Sequence, residues 1–243
     1  MSAAQPTIIA TSIGLQPSPH GLPDGVAGLS YRHAARLARP SGRARICIIA
    51  TAMGDNPVLL GAFYSAFSQL DMQVSHLSLF PMPNVADIRA HLMSQDIIWV
   101  CGGSTANLLA VWEVHGLGPI LRDCWSAGVV LSGVSAGAIC WHQGGTTDSF
   151  GLPLQAITGG LGFLPYSHSP HYDAEPERRP LTHRLIASGS LPDGFATDNG
   201  TGLVFYGTEL HEAITEVPGA SAYSISRGAD GQAEEKPLPT RLL

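Results

Sequence analysis

Short apolar runs alternate with longer helical patterns through the first 140 residues, and this alternation limits the possible folds more than any other feature of the chain. Residues 44–50 (ARICIIA) are rich in β-branched side chains and apolar on both faces, as a strand covered on both sides must be. Residues 7–11, 74–80, 96–100 and 128–131 read as further strands. Between them, residues 57–70 carry Leu59, Leu60, Phe63, Phe67 and Leu70 at spacings of three and four, the stripe of an amphipathic helix. Residues 85–93 form a second helix with Asn84 as its expected N-cap. Residues 105–114 and 120–126 are two more, and residues 31–37 a shorter one. Strands and helices in this order predict a parallel sheet with helices on both faces. After Gly144 the pattern loosens into a Gly- and Pro-rich region with short strands. It resumes as a helix over 178–187, a pair of strands over 196–206 and 210–217, and an extension over 222–225. Together these predict one α/β domain over residues 1–227 and a polar, frayed tail over 228–243. Residues 12–39 are the hardest to place, and are a possible pocket rim or dimer contact.

The chain has 243 residues, with 19 Asp and Glu against 13 Lys and Arg, for a net charge of −6. That acidity argues against nucleic acid or an anionic membrane as a partner, since each calls for a basic face. With only 13% charged and 44% hydrophobic residues the chain is built to bury a core. No apolar run approaches the roughly 20 residues that span a bilayer, and the N-terminus lacks the basic and apolar regions of a signal peptide. The expected location is cytoplasmic. Cys47, Cys101, Cys124 and Cys140 form no C-x-x-C pair and lie in apolar stretches, which suits buried free thiols in a reducing compartment.

Gly133-Val134-Ser135-Ala136-Gly137 fits G-x-S-x-G, follows an apolar strand and opens a helical stretch. On such a strand-to-helix turn the glycines permit a bend too sharp for side chains, and the serine hydroxyl is lifted out at the carboxyl end of the sheet. The Ala136 N–H is then offered to a developing oxyanion. The same pattern is also met as a simple glycine-rich turn capped by serine. Cys101-Gly102-Gly103-Ser104-Thr105 follows another strand and is a second donor loop, or a tight loop with Ser104 as N-cap. A nucleophilic serine needs a base, and the base an orienting partner. Of the ten histidines, His20, His33, His76, His91, His115 and His211 have no companion features. His142, two helical turns beyond Ser135, lies about 10 Å along the helix, too far to reach the hydroxyl. The loop Leu164-Pro165-Tyr166-Ser167-His168-Ser169-Pro170-His171-Tyr172-Asp173 is dense in polar side chains fixed by proline. His168 and His171 both qualify as base, and Asp148, Asp173, Glu175 and Asp198 compete as its partner. A zinc site on His168, His171 and Asp173 is the other reading, without the usual Cys or H-E-x-x-H ligands.

GVSAGAICW, TTDSFG, GFLPYSHSPHYD and, upstream, CGGSTANLLAVW resemble the peptidase E family of serine peptidases, with cyanophycinase a more distant relative. The resemblance spans residues 97–210. It implies a three-layer α/β/α sandwich with a mostly parallel sheet, like the class I glutamine amidotransferases and flavodoxin. It implies Ser135 as nucleophile, His171 as base, Asp148 as the acid, and the N–H groups of Gly103 and Ala136 as the oxyanion hole. The family's dipeptidases take an N-terminal aspartate through an arginine, and Arg178 falls nearest that position, with Arg179 the alternative. In the family's G-G-G-N-T loop, Cys101 and Ser104 replace the first glycine and the asparagine, and the stretch from His171 to Arg178 is short. The implied protein is a serine exopeptidase for short peptides, N-terminal aspartyl dipeptides foremost, without cofactor or metal, as a monomer or homodimer. The alternatives are a related serine hydrolase, a carboxypeptidase-type enzyme, or a non-catalytic amidotransferase-like domain that binds a ligand.

Overall fold

In the computed structural model of the chain, residue 3, residues 5–16 and residues 25–243 are described. Expectations on residues 1, 2 and 4 and on residues 17–24, His20 included, lie outside the described residues. In chain order the first part runs β1 (Thr7–Thr11), α1 (Leu29–Ala38), β2 (Ala44–Ile49), α2 (Pro57–Phe67), β3 (Met72–Leu77), α3 (Ile88–Met93), β4 (Ile97–Val100), α4 (Thr105–Val114), α5 (Leu117–Ser126), β5 (Val130–Val134) and α6 (Ala136–Ile139). The second part runs β6 (Gly144–Thr147), β7 (Gln155–Thr158), β8 (Ser167–Pro170), α7 (Arg178–Ala187), β9 (Gly194–Thr197), β10 (Thr201–Tyr206), β11 (Glu209–Thr215), β12 (Ala222–Arg227), β13 (Ala233–Leu238) and β14 (Thr240–Leu242).

Eight strands form the main sheet, in the order β14-β11-β10-β1-β5-β4-β2-β3. Only β10 opposes the rest. Side chains alternate across this sheet. Ile8, Cys47, Ile49, Ile98, Val100 and Leu131 pack on one face with Leu92 of α3, Leu108 and Trp112 of α4, and Leu117 and Leu121 of α5. Ile9, Ile46, Ile48, Trp99 and Val130 pack on the other with Tyr31 and Ala34 of α1 and Phe63 and Phe67 of α2. Coverage of both faces explains why the parallel strands read as unbroken apolar runs. The result is a three-layer α/β/α sandwich, and all four cysteines are buried and free.

A second sheet of six strands, β13-β12-β9-β8-β6-β7, takes up the loosely patterned region. The tail is a correction to the sequence reading. Residues expected to fray instead form β13, paired antiparallel with β12, and β14, which adds an edge to the main sheet beside β11. Asp230-Gly231, with Gly231 at φ +80°, makes the hairpin turn that polar composition concealed. Several helix ends also move, α1 spanning Leu29–Ala38 and α2 stopping at Phe67. Asp87, not Asn84, caps α3 by accepting from the Ala90 N–H at 2.9 Å, while Asn84 braces its own loop by accepting from the Ser78 N–H. α5 starts at Leu117, because Pro119 fits a first turn where its missing N–H is not needed. The elbow helix α6 stops after four residues.

Candidate active site

Ser135 stands between β5 and α6 at φ 56° and ψ −113°, a backbone conformation that L-residues sustain only when their surroundings impose it. The surroundings do so by crowding. A Cβ on Gly137 would fall 2.1 Å from the Val100 carbonyl oxygen, and one on Gly133 would fall 2.3 Å from that of Gly137. The two motif glycines thus let the turn press against β4. The Ser135 N–H donates to the Thr11 carbonyl at 3.0 Å. As the first residue of α6, Ala136 has an N–H with no intrahelical acceptor.

The loop after β4 reaches the same place. A Cβ on Gly102 would lie 3.3 Å from the Ser135 Cβ and 3.9 Å from its Oγ, so this backbone runs directly against the serine. Gly103 adopts φ +128°, and a Cβ there would meet the Ala52 carbonyl at 2.5 Å. Ser104 caps α4 by accepting from the Asn107 N–H at 3.2 Å. The loop is therefore both a helix start and a close backbone approach. Burial pushes the neighbouring Cys101 thiol well up, which removes it as a rival nucleophile.

His171 follows β8 in the left-handed region, at φ 55°. Its N–H donates to Ser12 Oγ at 2.9 Å, and its Nδ1 lies 2.5 Å from Asn199 Oδ1. An amide oxygen only accepts, so Nδ1 carries a proton, and the tautomer this bond selects in a neutral imidazole has its lone pair on Nε2. Asn199 belongs to the turn between β9 and β10, and its own N–H donates to Asp173 Oδ1 at 2.8 Å. Thr11 and Ser12, at the end of β1, thus hold the nucleophile's backbone and the base's backbone on consecutive residues.

The structure places the other sequence candidates elsewhere. Asp148 is exposed at the β6–β7 turn, its carboxylate without a hydrogen-bond partner among the described residues. The turn sits against the start of α4, where Ser149 Oγ accepts from the Ala106 N–H. The resemblance assigned Asp148 to the imidazole, yet the atom on Nδ1 is the Asn199 oxygen. Asp198 Oδ2 accepts from the Ser221 N–H and the Tyr223 hydroxyl, and burial raises its carboxyl pKa. Glu175 is paired with Arg178. Arg178 itself is 2% exposed. One of its NH2 groups donates to both Glu175 oxygens at 2.9 Å, the other to the Thr146 carbonyl at 2.7 Å. It ties α7 to β6, and its buried Nε has no hydrogen-bond partner among the described residues. Among the described residues no group of three His, Cys, Asp or Glu side chains is arranged to hold a metal.

His168, the rival base, is fully buried beside His142, the two rings 4.8 Å apart. Burial lowers the His142 pKa to about 4 and that of His168 well below the usual imidazole range. Both are neutral in the folded chain, whereas an unfolded histidine titrates near 6.5. The folded-state pKa values are depressed, so the stability these residues contribute is complete above pH 6.5 and is lost as the pH falls toward 4. For His142 the window amounts to about 3 kcal/mol. Urea denaturation at pH 7.5 and pH 5 should show the lower midpoint at pH 5. An unchanged or higher midpoint there would contradict this burial.

The serine elbow, the glycine backbone packed against it and the imidazole bonded to Asn199 are the features of this site, no hydrogen bond joins Ser135 to His171, and comparison with known proteins identifies the family. The model of Peptidase family S51 matches residues 33–213. The chain belongs to peptidase family S51. It is 45% identical over 199 residues to the "Uncharacterized peptidase YgaJ" of Bacillus subtilis (strain 168), covering 82% of this chain and 85% of that one. Its fold is similar to the crystal structure of a peptidase from an acI-B1 Actinobacterium, with a TM-score of 0.67 at 14% identity over 97% of this chain and 95% of that one. It is also similar to a Listeria monocytogenes EGD-e protein provisionally named peptidase E, with a TM-score of 0.59 at 19% identity over 86% of this chain and 98% of that one. Among the described residues no helix is long and apolar enough to cross a membrane.

Asn199, Thr11 and Ser12 escaped the sequence reading. The Asp198-Asn199-Gly200 turn is a signal for the first, beside an ionisable residue that draws the stronger chemical expectation. Nothing in the sequence marked the other two.

Proposed function

We propose that this S51 peptidase is a serine exopeptidase for short peptides. Ser135 is the nucleophile, His171 the base, Asn199 its orienting partner, and the N–H groups of Gly103 and Ala136 the oxyanion donors. The observation that carries this reading is the tethering of the Ser135 elbow and the His171 loop to consecutive residues, Thr11 and Ser12. Nε2 takes the hydroxyl proton as Oγ attacks the scissile carbonyl. The tetrahedral oxyanion is held by the two backbone donors, each worth a few kcal/mol in such sites. His171 then protonates the leaving amine, and water, deprotonated by the same imidazole, releases the acid from the ester on Ser135. Asn199 fixes the tautomer and leaves the imidazolium without a full counter-charge.

Dipeptides are the substrates that the family resemblance favours. A demand for N-terminal aspartate would require Arg178 to exchange Glu175 for the substrate carboxylate, and its burial and its bidentate pairing with Glu175 speak against that exchange. The other nearby cation, Arg179, lies 4.8 Å over the Tyr172 ring and 5.0 Å over that of Tyr223. A panel of Asp-X, Ala-X, Lys-X and Leu-X dipeptides, with products identified for wild type and Ser135→Ala, tests the reading. The expected result is serine-dependent release of free amino acids without an absolute need for aspartate. Cleavage confined to Asp-X would restore the aspartate role to Arg178. Cleavage that survives in Ser135→Ala would overturn the mechanism.

A further inference from the structure

We infer that Ser12 is a positioning residue for the base, an inference that rests on His171 being that base. Five contacts converge on Ser12. Its Oγ accepts the His171 N–H at 2.9 Å and lies 2.7 Å from Thr197 Oγ1 and 3.1 Å from the Thr197 carbonyl. Its N–H donates to the Thr201 carbonyl at 2.8 Å, and its carbonyl accepts from the Gly200 N–H at 3.1 Å. One residue therefore clamps both the loop that carries His171 and the turn that carries Asn199. The preceding residue, Thr11, accepts from Ser135. Ser12 is buried, so its hydroxyl is held by these partners rather than by solvent.

The clamp matters because His171 sits at φ 55°, a conformation that is sparsely populated for a non-glycine residue and needs outside support. Donation to Ser12 Oγ supplies that support at the residue's own N–H. The serine hydroxyl has a single proton, used toward Thr197, and offers its lone pairs to His171. Behind it Thr197 Oγ1 lies 3.2 Å from Nε2 of the buried His168. The chain of contacts from His168 through Thr197 to Ser12 gives the clamp a fixed back wall. Without the hydroxyl the His171 N–H loses its acceptor, and the loop is free to leave the left-handed turn. The imidazole would then drift from Asn199 and from the serine.

Removing a positioning contact misplaces the base by a fraction of an ångström to an ångström, and misplacement on that scale can reduce turnover by as much as 10²-fold. Ser12→Ala is expected to lower kcat about 10- to 100-fold on the best dipeptide, with KM within about twofold. Ser12→Thr, which keeps the hydroxyl, should recover most of the loss. A merely structural role would not split kcat from KM in this way or be rescued by a hydroxyl. Wild-type kcat in a folded Ser12→Ala protein, a rise in KM alone, or equal losses in the alanine and threonine variants would overturn the inference. If Ser12→Ala does not fold, Thr197→Val decides. It leaves the His171 bond but removes one partner of the Ser12 hydroxyl, so a reduced kcat supports the clamp and an unchanged kcat overturns it. His171→Ala is assayed in parallel. Full activity there removes the base assignment itself, whereas an inactive His171→Ala beside a fully active Ser12→Ala removes only the clamp.

Discussion

Ser135→Ala is expected to lower peptide turnover by about 10⁴-fold or more while the protein melts within a few degrees of wild type. The Ser135 side chain makes no hydrogen bond to a described residue, so its hydroxyl contributes little to folding. The turn is imposed instead by the packing of Gly133 and Gly137 against β4 and by the bond from the Ser135 N–H to Thr11. Alanine meets the same backbone strain as serine and adds none. His171→Ala should fall to a similar residual rate, because a serine without its base and a base without its serine are equally unable to form the acyl-enzyme. The double variant should be no slower than either single one, as expected for residues that act as a unit. Additive losses would mean that the two side chains serve separate steps. Circular dichroism and thermal melts beside the rate assays keep loss of chemistry apart from loss of fold.

The second large effect separates two partners for the imidazole. Asn199→Ala is expected to reduce kcat by about 10²- to 10³-fold, because Nδ1 then loses the acceptor that fixes its tautomer and ring orientation. Asp148→Ala should stay within about threefold of wild type, since its exposed carboxylate holds no partner and lies at the β6–β7 turn. The reverse ranking would return the acid role to Asp148 and require the loop to move when substrate binds. The ranking is read most cleanly from kcat on one saturating dipeptide.

The β-α alternation was legible because the parallel strands are buried on both faces. Thr7–Thr11 and Thr105–Val114 have the same ends in sequence and structure, since apolar spacing and capping agree there. The second sheet was only glimpsed. Its strands are short, part polar and joined by glycine turns, so no periodicity runs long enough to read. The tail was misjudged for a related reason: backbone pairing stabilises β13 and β14 at sheet edges, where polar side chains face water. In the site, the serine elbow announced itself because its chemistry is local to five residues. The residue bonded to the His171 Nδ1 did not, because Asn199 is 28 residues from His171 and meets it only through the pairing of β8 with β9. An uncharged amide also lacks the carboxylate that marks the usual orienting partner of such an imidazole. Arg178 lies near the place the resemblance implies, and α7 turns it inward to Glu175 and Thr146.

The most direct test of the central claim is the site of covalent attack. The protein is treated with a fluorophosphonate, digested and mapped by mass spectrometry. The account predicts one stoichiometric adduct on Ser135, with labelling slowed strongly in His171→Ala. A stoichiometric adduct on any other residue, or an active enzyme that takes up no label, would contradict it.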